Sequence, residues 1–125
     1  MSIPFYEHWF SLNLRRNRTS FIAASITLFC IMLIMIATMW FFDVRGRSWT
    51  LIFLLFFVPY VLCTYCLTAQ RLRDFNQTGW LALLWMPIGI ADNYIGGAAS
   101  VAFIIFLCVI PGTPGSNRYG DDPLA

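Results

Sequence analysis

Two long apolar runs set the terms on which this chain can fold. Ser20 to Phe42 is 23 residues without a charge, and Trp49 to Ala69 is 21 more. A helix needs roughly 20 such residues to cross the ~30 Å hydrocarbon core of a bilayer. Only the hexapeptide Asp43-Val44-Arg45-Gly46-Arg47-Ser48 separates them. The pattern predicts two membrane-spanning helices, over 20–42 and 49–69, and excludes a water-soluble domain.

Composition agrees. Charged residues make up 11% of the chain, against about 25% in soluble domains. All eight basic residues are arginine, and the net charge is +2. That balance is too small for nucleic-acid binding, which needs a concentrated basic face. The first run starts at residue 20 and lacks a small-residue cleavage pattern after it, so it reads as a retained span.

Upstream, residues 3–18 fit an amphipathic helix lying in the headgroup layer. Phe5, Tyr6, Trp9, Phe10, Leu12 and Leu14 would cover its apolar face. Trp9, Arg15, Arg16 and Arg18 are the expected interfacial anchors. His8, the only histidine, falls on the polar face and is expected to be solvated.

Downstream, Trp80 to Ile110 is mostly apolar but carries Pro87, Gly89, Asp92, Asn93, Gly96 and Gly97. As one helix its 31 residues would reach about 46 Å, well beyond the core thickness. It is expected to split near Asp92-Asn93 into a hairpin of 80–91 and 96–110, with 111–125 as a tail. The fold class expected is therefore an all-α integral membrane protein of about four transmembrane helices. The last two are short, and the N-terminal interfacial helix precedes them all.

Arginine placement orients this scheme. Three arginines precede the first run, two lie at 45–47, two at 71–73 and one in the tail. With four spans, 3 + 2 + 1 = 6 face the side of the termini and 2 face the other. The positive-inside bias then puts both termini in the cytoplasm.

Two polar segments carry more information than the spans. One is Arg71-Leu72-Arg73-Asp74 followed by Gly79-Trp80; the other is Gly112-Thr113-Pro114-Gly115 followed by Asn117-Arg118-Tyr119-Gly120. Together they resemble the DUF805 family of small bacterial inner-membrane proteins. The resemblance implies an inner-membrane location and a fold, but no reaction. Arg73 stands where the family usually has histidine, so proton handling by that histidine is absent. Physically the segments suggest a polar clamp at the membrane surface built from Arg71, Arg73, Asp74, Asn117 and Arg118, with Arg118 reaching Asp74. Arg71 and Arg73 are expected to snorkel to headgroups.

Asp92 and Asn93 are a possible intramembrane functional or partner contact, because an ionisable group at membrane depth is costly. Gly96, Gly97 and Ser100 offer a small-residue strip for helix packing. Cys63-Thr64-Tyr65-Cys66 has CxxC spacing, yet no second pair or nearby histidine completes a zinc site. No cofactor and no catalytic set of residues is expected. The function expected is that of a non-enzymatic accessory or regulatory subunit. It would pack in the bilayer against itself, as a homo-oligomer, or against a larger membrane protein. The alternative is an oligomeric pore or membrane-perturbing effector.

Overall fold

The computed structural model describes residues 9–10 and 14–120. Among them are four α-helices and no strand. Helix α1 is Arg18–Phe41, α2 is Gly46–Asp74, α3 is Trp85–Ile95 and α4 is Ala98–Val109; a 3-10 helix, Gly79–Leu84, leads into α3. The interfacial helix expected over 3–18 lies outside the described residues for most of its length. Its described last part, Leu14 to Asn17, is not helical.

Asn17 starts α1 by accepting from the Ser20 N–H at 2.7 Å, the bond that satisfies an otherwise orphaned donor of the first turn. At 24 and 29 residues, α1 and α2 are about 36 and 44 Å long at 1.5 Å per residue. Both are long and apolar enough to cross a membrane. They turn back on each other through Asp43 (φ 51°) and Gly46 (φ 63°). The buried face of α1 is Phe21, Ala24, Leu28, Met32, Met35 and Met39. Its three- and four-residue steps keep one stripe against α2.

Most of the remaining surface of the pair is apolar and exposed, including Ile26, Phe29, Ile34, Leu51, Leu55 and Leu62. A water-soluble core helix would bury such side chains, and soluble monomers rarely show contiguous apolar patches above a few hundred Å². Trp40 and Trp49 at the turn and Trp80 at the other end mark two aromatic levels, as membrane interfaces do.

The hairpin formed by α3 and α4 is shorter. With 11 and 12 residues, each helix reaches only about 17–18 Å. Its turn uses Gly96 (φ 67°) and Gly97 (φ 88°), a left-handed backbone that glycine adopts without a Cβ penalty. A Cβ added at either would meet nothing within 4 Å. The small-residue strip expected over Gly96, Gly97 and Ser100 is therefore not a helix face: the two glycines serve backbone geometry. Ser100 has a different task. Asp92 accepts from the Ser100 N–H at 3.1 Å and from its hydroxyl, so Asp92 caps α4 from the helix before it. Asn93 is exposed and bonds back to the Gly89 carbonyl at 3.2 Å.

The core divides in two. One cluster joins Phe21, Ala24, Leu28, Cys63, Leu67, Leu72, Ala82 and Leu107, drawing on α1, α2, the 3-10 helix and α4. The other, around Met32, Met35 and Met39, draws on α1, α2 and the link between them alone. The short hairpin thus covers only the half of the α1–α2 pair nearest the termini. Trp85 Nε1 donates to Thr68 Oγ1 at 2.9 Å and fixes where that hairpin starts. Between α1, α2 and α4 it leaves an open apolar groove of about 590 Å³, lined by Ile22, Phe29, Phe57, Tyr60, Ser100 and Ile104 among others.

Candidate functional site

The polar residues gather at the end of the bundle where the chain enters α1, leaves α2 and leaves α4. Sequence-distant segments meet there because α2 carries charge beyond its apolar run. The helix continues past Ala69 to Asp74 and stops on Asn76 at φ 62°. The Asn76 N–H donates to the Arg73 carbonyl at 3.0 Å, and the Gln77 N–H to the Leu72 carbonyl at 2.9 Å. That pair of bonds is a Schellman ending, with asparagine in the left-handed position usually taken by glycine.

Asp74 is the centre. Its carboxylate is paired with Arg15 at 3.1 Å and with Arg71 at 2.5 Å, and all three residues are buried. A buried ion pair offsets its desolvation cost best when its remaining donors are also satisfied. Arg71, 0% exposed, does this on α4: its Nε donates to the Leu107 carbonyl at 2.8 Å and its Nη2 to the Ile110 carbonyl. The last turn of α4 has no basic residue of its own. Arg71 therefore supplies from α2 the cation that a helix C-terminus favours.

Arg15 turns its two terminal nitrogens to the tail and Asp74, while its Nε is buried and finds no partner among the described residues. Its Nη1 donates to the carbonyls of Gly115 at 2.8 Å and Gly120 at 3.0 Å. Its Nη2 donates to the Thr113 carbonyl at 2.8 Å as well as to Asp74. The planar fork of arginine suits such multiple acceptors better than a lysine ammonium. Next to it, Arg16 is 0% exposed and donates to Gln70 Oε1 at 2.7 Å and Ser20 Oγ at 2.6 Å. Its backbone N–H donates to the Gln70 carbonyl at 3.1 Å. Burial lowers the Arg16 guanidinium to about 10, which leaves it charged at neutral pH.

The tail closes over this arrangement. The Thr113 N–H donates to the Asp74 carbonyl at 2.7 Å, and Asn117 Nδ2 to the Arg73 carbonyl at 2.9 Å. Asn117 Oδ1 accepts from the Tyr119 N–H at 2.8 Å. A Cβ at Gly112 would stand 2.1 Å from Asp74 Oδ2. Glycine is required there by contact with the carboxylate, not by φ. Gly79 is close-packed but less constrained: a methyl on it would lie 3.0 Å from Arg73 Nη2, the end of a flexible side chain, and 3.2 Å from Ala69 Cβ.

The two polar segments expected to meet do come together, but not through the pair expected. Arg118 is exposed; it donates to the Asn76 carbonyl at 3.3 Å and lies over the Tyr119 ring at 4.9 Å. The Asp74 carboxylate faces inward and is taken by Arg15 and Arg71. Arg71 does not snorkel outward, because its donors are needed at the end of α4. Arg73, half-buried, lies 5.7 Å from the Tyr119 ring. Arg15 and Arg16 are not interfacial anchors: both are buried. Trp9 is half-buried against the core, and Arg18 is exposed at the head of α1. Asp92 and Asn93 are remote from this cluster and belong to the hairpin turn. Gln70, Ser20 and the tail carbonyls give no signal in the sequence, since amides, hydroxyls and carbonyls carry no charge.

Chemically, the cluster positions backbone. Its cations face carbonyls and one carboxylate. Among the described residues no group of three metal-ligating side chains comes together, and Cys63 and Cys66 are free thiols inside the core.

The profile of DUF805, a protein of unknown function, matches residues 9–121. The chain belongs to the DUF805 family. Of the residues that carried the resemblance, Asp74, Gly112 and Asn117 tie α2 to the tail in this DUF805 protein, and Arg71 ties α2 to the end of α4. Comparison with curated proteins and with solved structures gave no match.

Proposed function

We propose that this DUF805 protein is a non-enzymatic accessory or regulatory subunit of the bacterial inner membrane. It works by packing its helices against a second copy or a larger membrane protein. Both termini face the cytoplasm, as the 6-to-2 arginine split favours. The observation that carries the reading is the bare half of the α1–α2 pair. Beyond the reach of the α3–α4 hairpin, and among the described residues, the helices keep only each other and their link as neighbours. The charged cluster supports the non-enzymatic part, since its guanidiniums are spent on backbone carbonyls and one carboxylate.

Purification in a mild detergent, followed by mass measurement of the intact complex, tests this. A defined multimer or a stoichiometric membrane partner is expected. A strictly monomeric protein without partners in detergent and in lipid nanodiscs would reject it. Reporter fusions after residue 120 test the orientation separately, with a cytoplasmic signal expected.

A further inference from the structure

The groove between α1, α2 and α4 has an apolar body and a cationic end. Its α1 wall is Ile22, Ser25, Ile26 and Phe29, one face of that helix by their spacing. Its α4 wall is Ser100, Ile104 and Cys108, again one face. The α2 side runs from Phe57 to Thr68, about 16 Å at 1.5 Å per residue, which is close to one leaflet's half of the ~30 Å hydrocarbon core. The threonines along it are turned to their own helix. Thr64 Oγ1 donates to the Tyr60 carbonyl at 2.9 Å, and Thr68 Oγ1 to the Thr64 carbonyl at 2.7 Å. At one end the α1 and α4 walls run on into a second cleft of about 270 Å³, lined by Asn17, Arg18, Thr19, Asp74 and residues 111–114. Arg18 stands one turn before Ile22, on the groove face of α1. It is exposed and forms no ion pair among the described residues, whereas Arg15 and Arg71 are paired with Asp74. The Asp74 carboxylate is thus already neutralised, and Arg18 leaves the cleft with a net positive charge.

We infer that groove and cleft together hold one anionic phospholipid, with an acyl chain in the groove and its phosphate on Arg18. Three features select this occupant. An apolar channel that ends at an unpaired cation is complementary to an anionic amphiphile, and to neither a purely apolar helix nor a free anion. The channel has the length of one leaflet. On the orientation proposed above, its cationic end lies at the cytoplasmic surface, where basic pockets between helices take anionic headgroups. Concavity sets the site apart from the open faces of α1 and α2. There lipid meets one helix surface, whereas here three helices wall the chain. A lipid held in this way is compatible with a packing subunit and does not require one.

Native mass spectrometry of the delipidated protein in mild detergent tests this. The probes are phosphatidylglycerol and phosphatidylcholine with identical chains. One phosphatidylglycerol per chain is expected, preferred about fivefold, the effect of a single surface arginine on an anionic headgroup. Arg18→Gln should abolish the preference, and Arg18→Lys, which keeps the charge, should retain it. Ile22→Trp and Ile104→Trp fill the groove from opposite walls, and each should weaken binding of both lipids by about tenfold or more. Unfolding in detergent identifies a variant that has lost its fold, and the other variant then decides. Glycerol phosphate, the headgroup without a chain, should not compete. Equal binding of the two lipids, a preference kept in Arg18→Gln, or undiminished binding with the groove filled would overturn the inference. So would competition by glycerol phosphate, which would make the cleft a site for free anions.

Discussion

The two halves of the bundle are held by different physics. Near the termini, α1, α2, α4 and the tail meet around Asp74, Arg15 and Arg71, and specificity comes from directed bonds between charges and carbonyls. At the far end, α1 and α2 pack by apolar contact through Met32, Met35 and Met39. In lipid the exposed alternative for an apolar side chain is as apolar as the interior, so packing alone holds that end. A buried charge has no such alternative. The first half should therefore be intolerant of single changes, and the second half forgiving.

The largest effect is expected at Asp74. Asp74→Ala leaves two buried guanidiniums without their carboxylate, and breaking a buried pair in this way costs about 3–5 kcal/mol. Reversible unfolding in mixed micelles measures it. A loss no greater than that of a methionine in the far half would erase the distinction between the halves.

Gly112→Ala comes next. Its methyl would stand 2.1 Å from Asp74 Oδ2, so either the carboxylate or the tail must move. Overpacking typically costs about 1–3 kcal/mol, and here the upper end is expected because the displaced atom belongs to the central ion pair. Protease access to the tail should rise in parallel. An unchanged tail would show that the carboxylate has room to retreat.

The difference between the halves also decides what could be read from sequence. The α1 and α2 spans are legible because a long charge-free run is a local property: 20–42 became Arg18–Phe41 and 49–69 became part of Gly46–Asp74. The five added residues at the end of α2 escape such a reading because Arg71 and Asp74 look like loop charges. They stay helical because partners 36 to 59 positions away absorb them. The same non-locality hides Arg15, whose acceptors lie up to 105 positions along the chain. The exclusive use of arginine is the one trace of it, since only a planar fork serves several carbonyls at once. The glycines at 96 and 97 are visible but ambiguous: spacing does not separate a packing strip from a left-handed turn.

In the far half, Met35→Ala should cost about 2 kcal/mol, the low end for a core methionine, because only packing contacts are lost. The same unfolding assay applies. A cost matching that of Asp74→Ala would show that the far half is as specified as the near one.

The smallest effect is expected at Arg118, and it separates the observed arrangement from the salt bridge that the sequence suggests. Arg118 reaches the Asn76 carbonyl, at 3.3 Å, and the face of Tyr119. An exposed cation–π contact is worth about 0.5–1 kcal/mol. Arg118→Ala should therefore lower stability by about that much, far less than Asp74→Ala. The charge swap sharpens the point. If Arg118 were the partner of Asp74, Asp74→Arg with Arg118→Asp would restore what either change loses. In the observed geometry it cannot: an arginine at 74 would face Arg15 and Arg71, and an aspartate at 118 would sit outside, away from both. The double variant should be at least as unstable as Asp74→Arg alone. By contrast, a lone Arg15→Ala should lower stability and release the tail together, because the Thr113, Gly115 and Gly120 carbonyls lose their common donor. Tail release with Arg118→Ala but not with Arg15→Ala would reverse the assignment of the two residues.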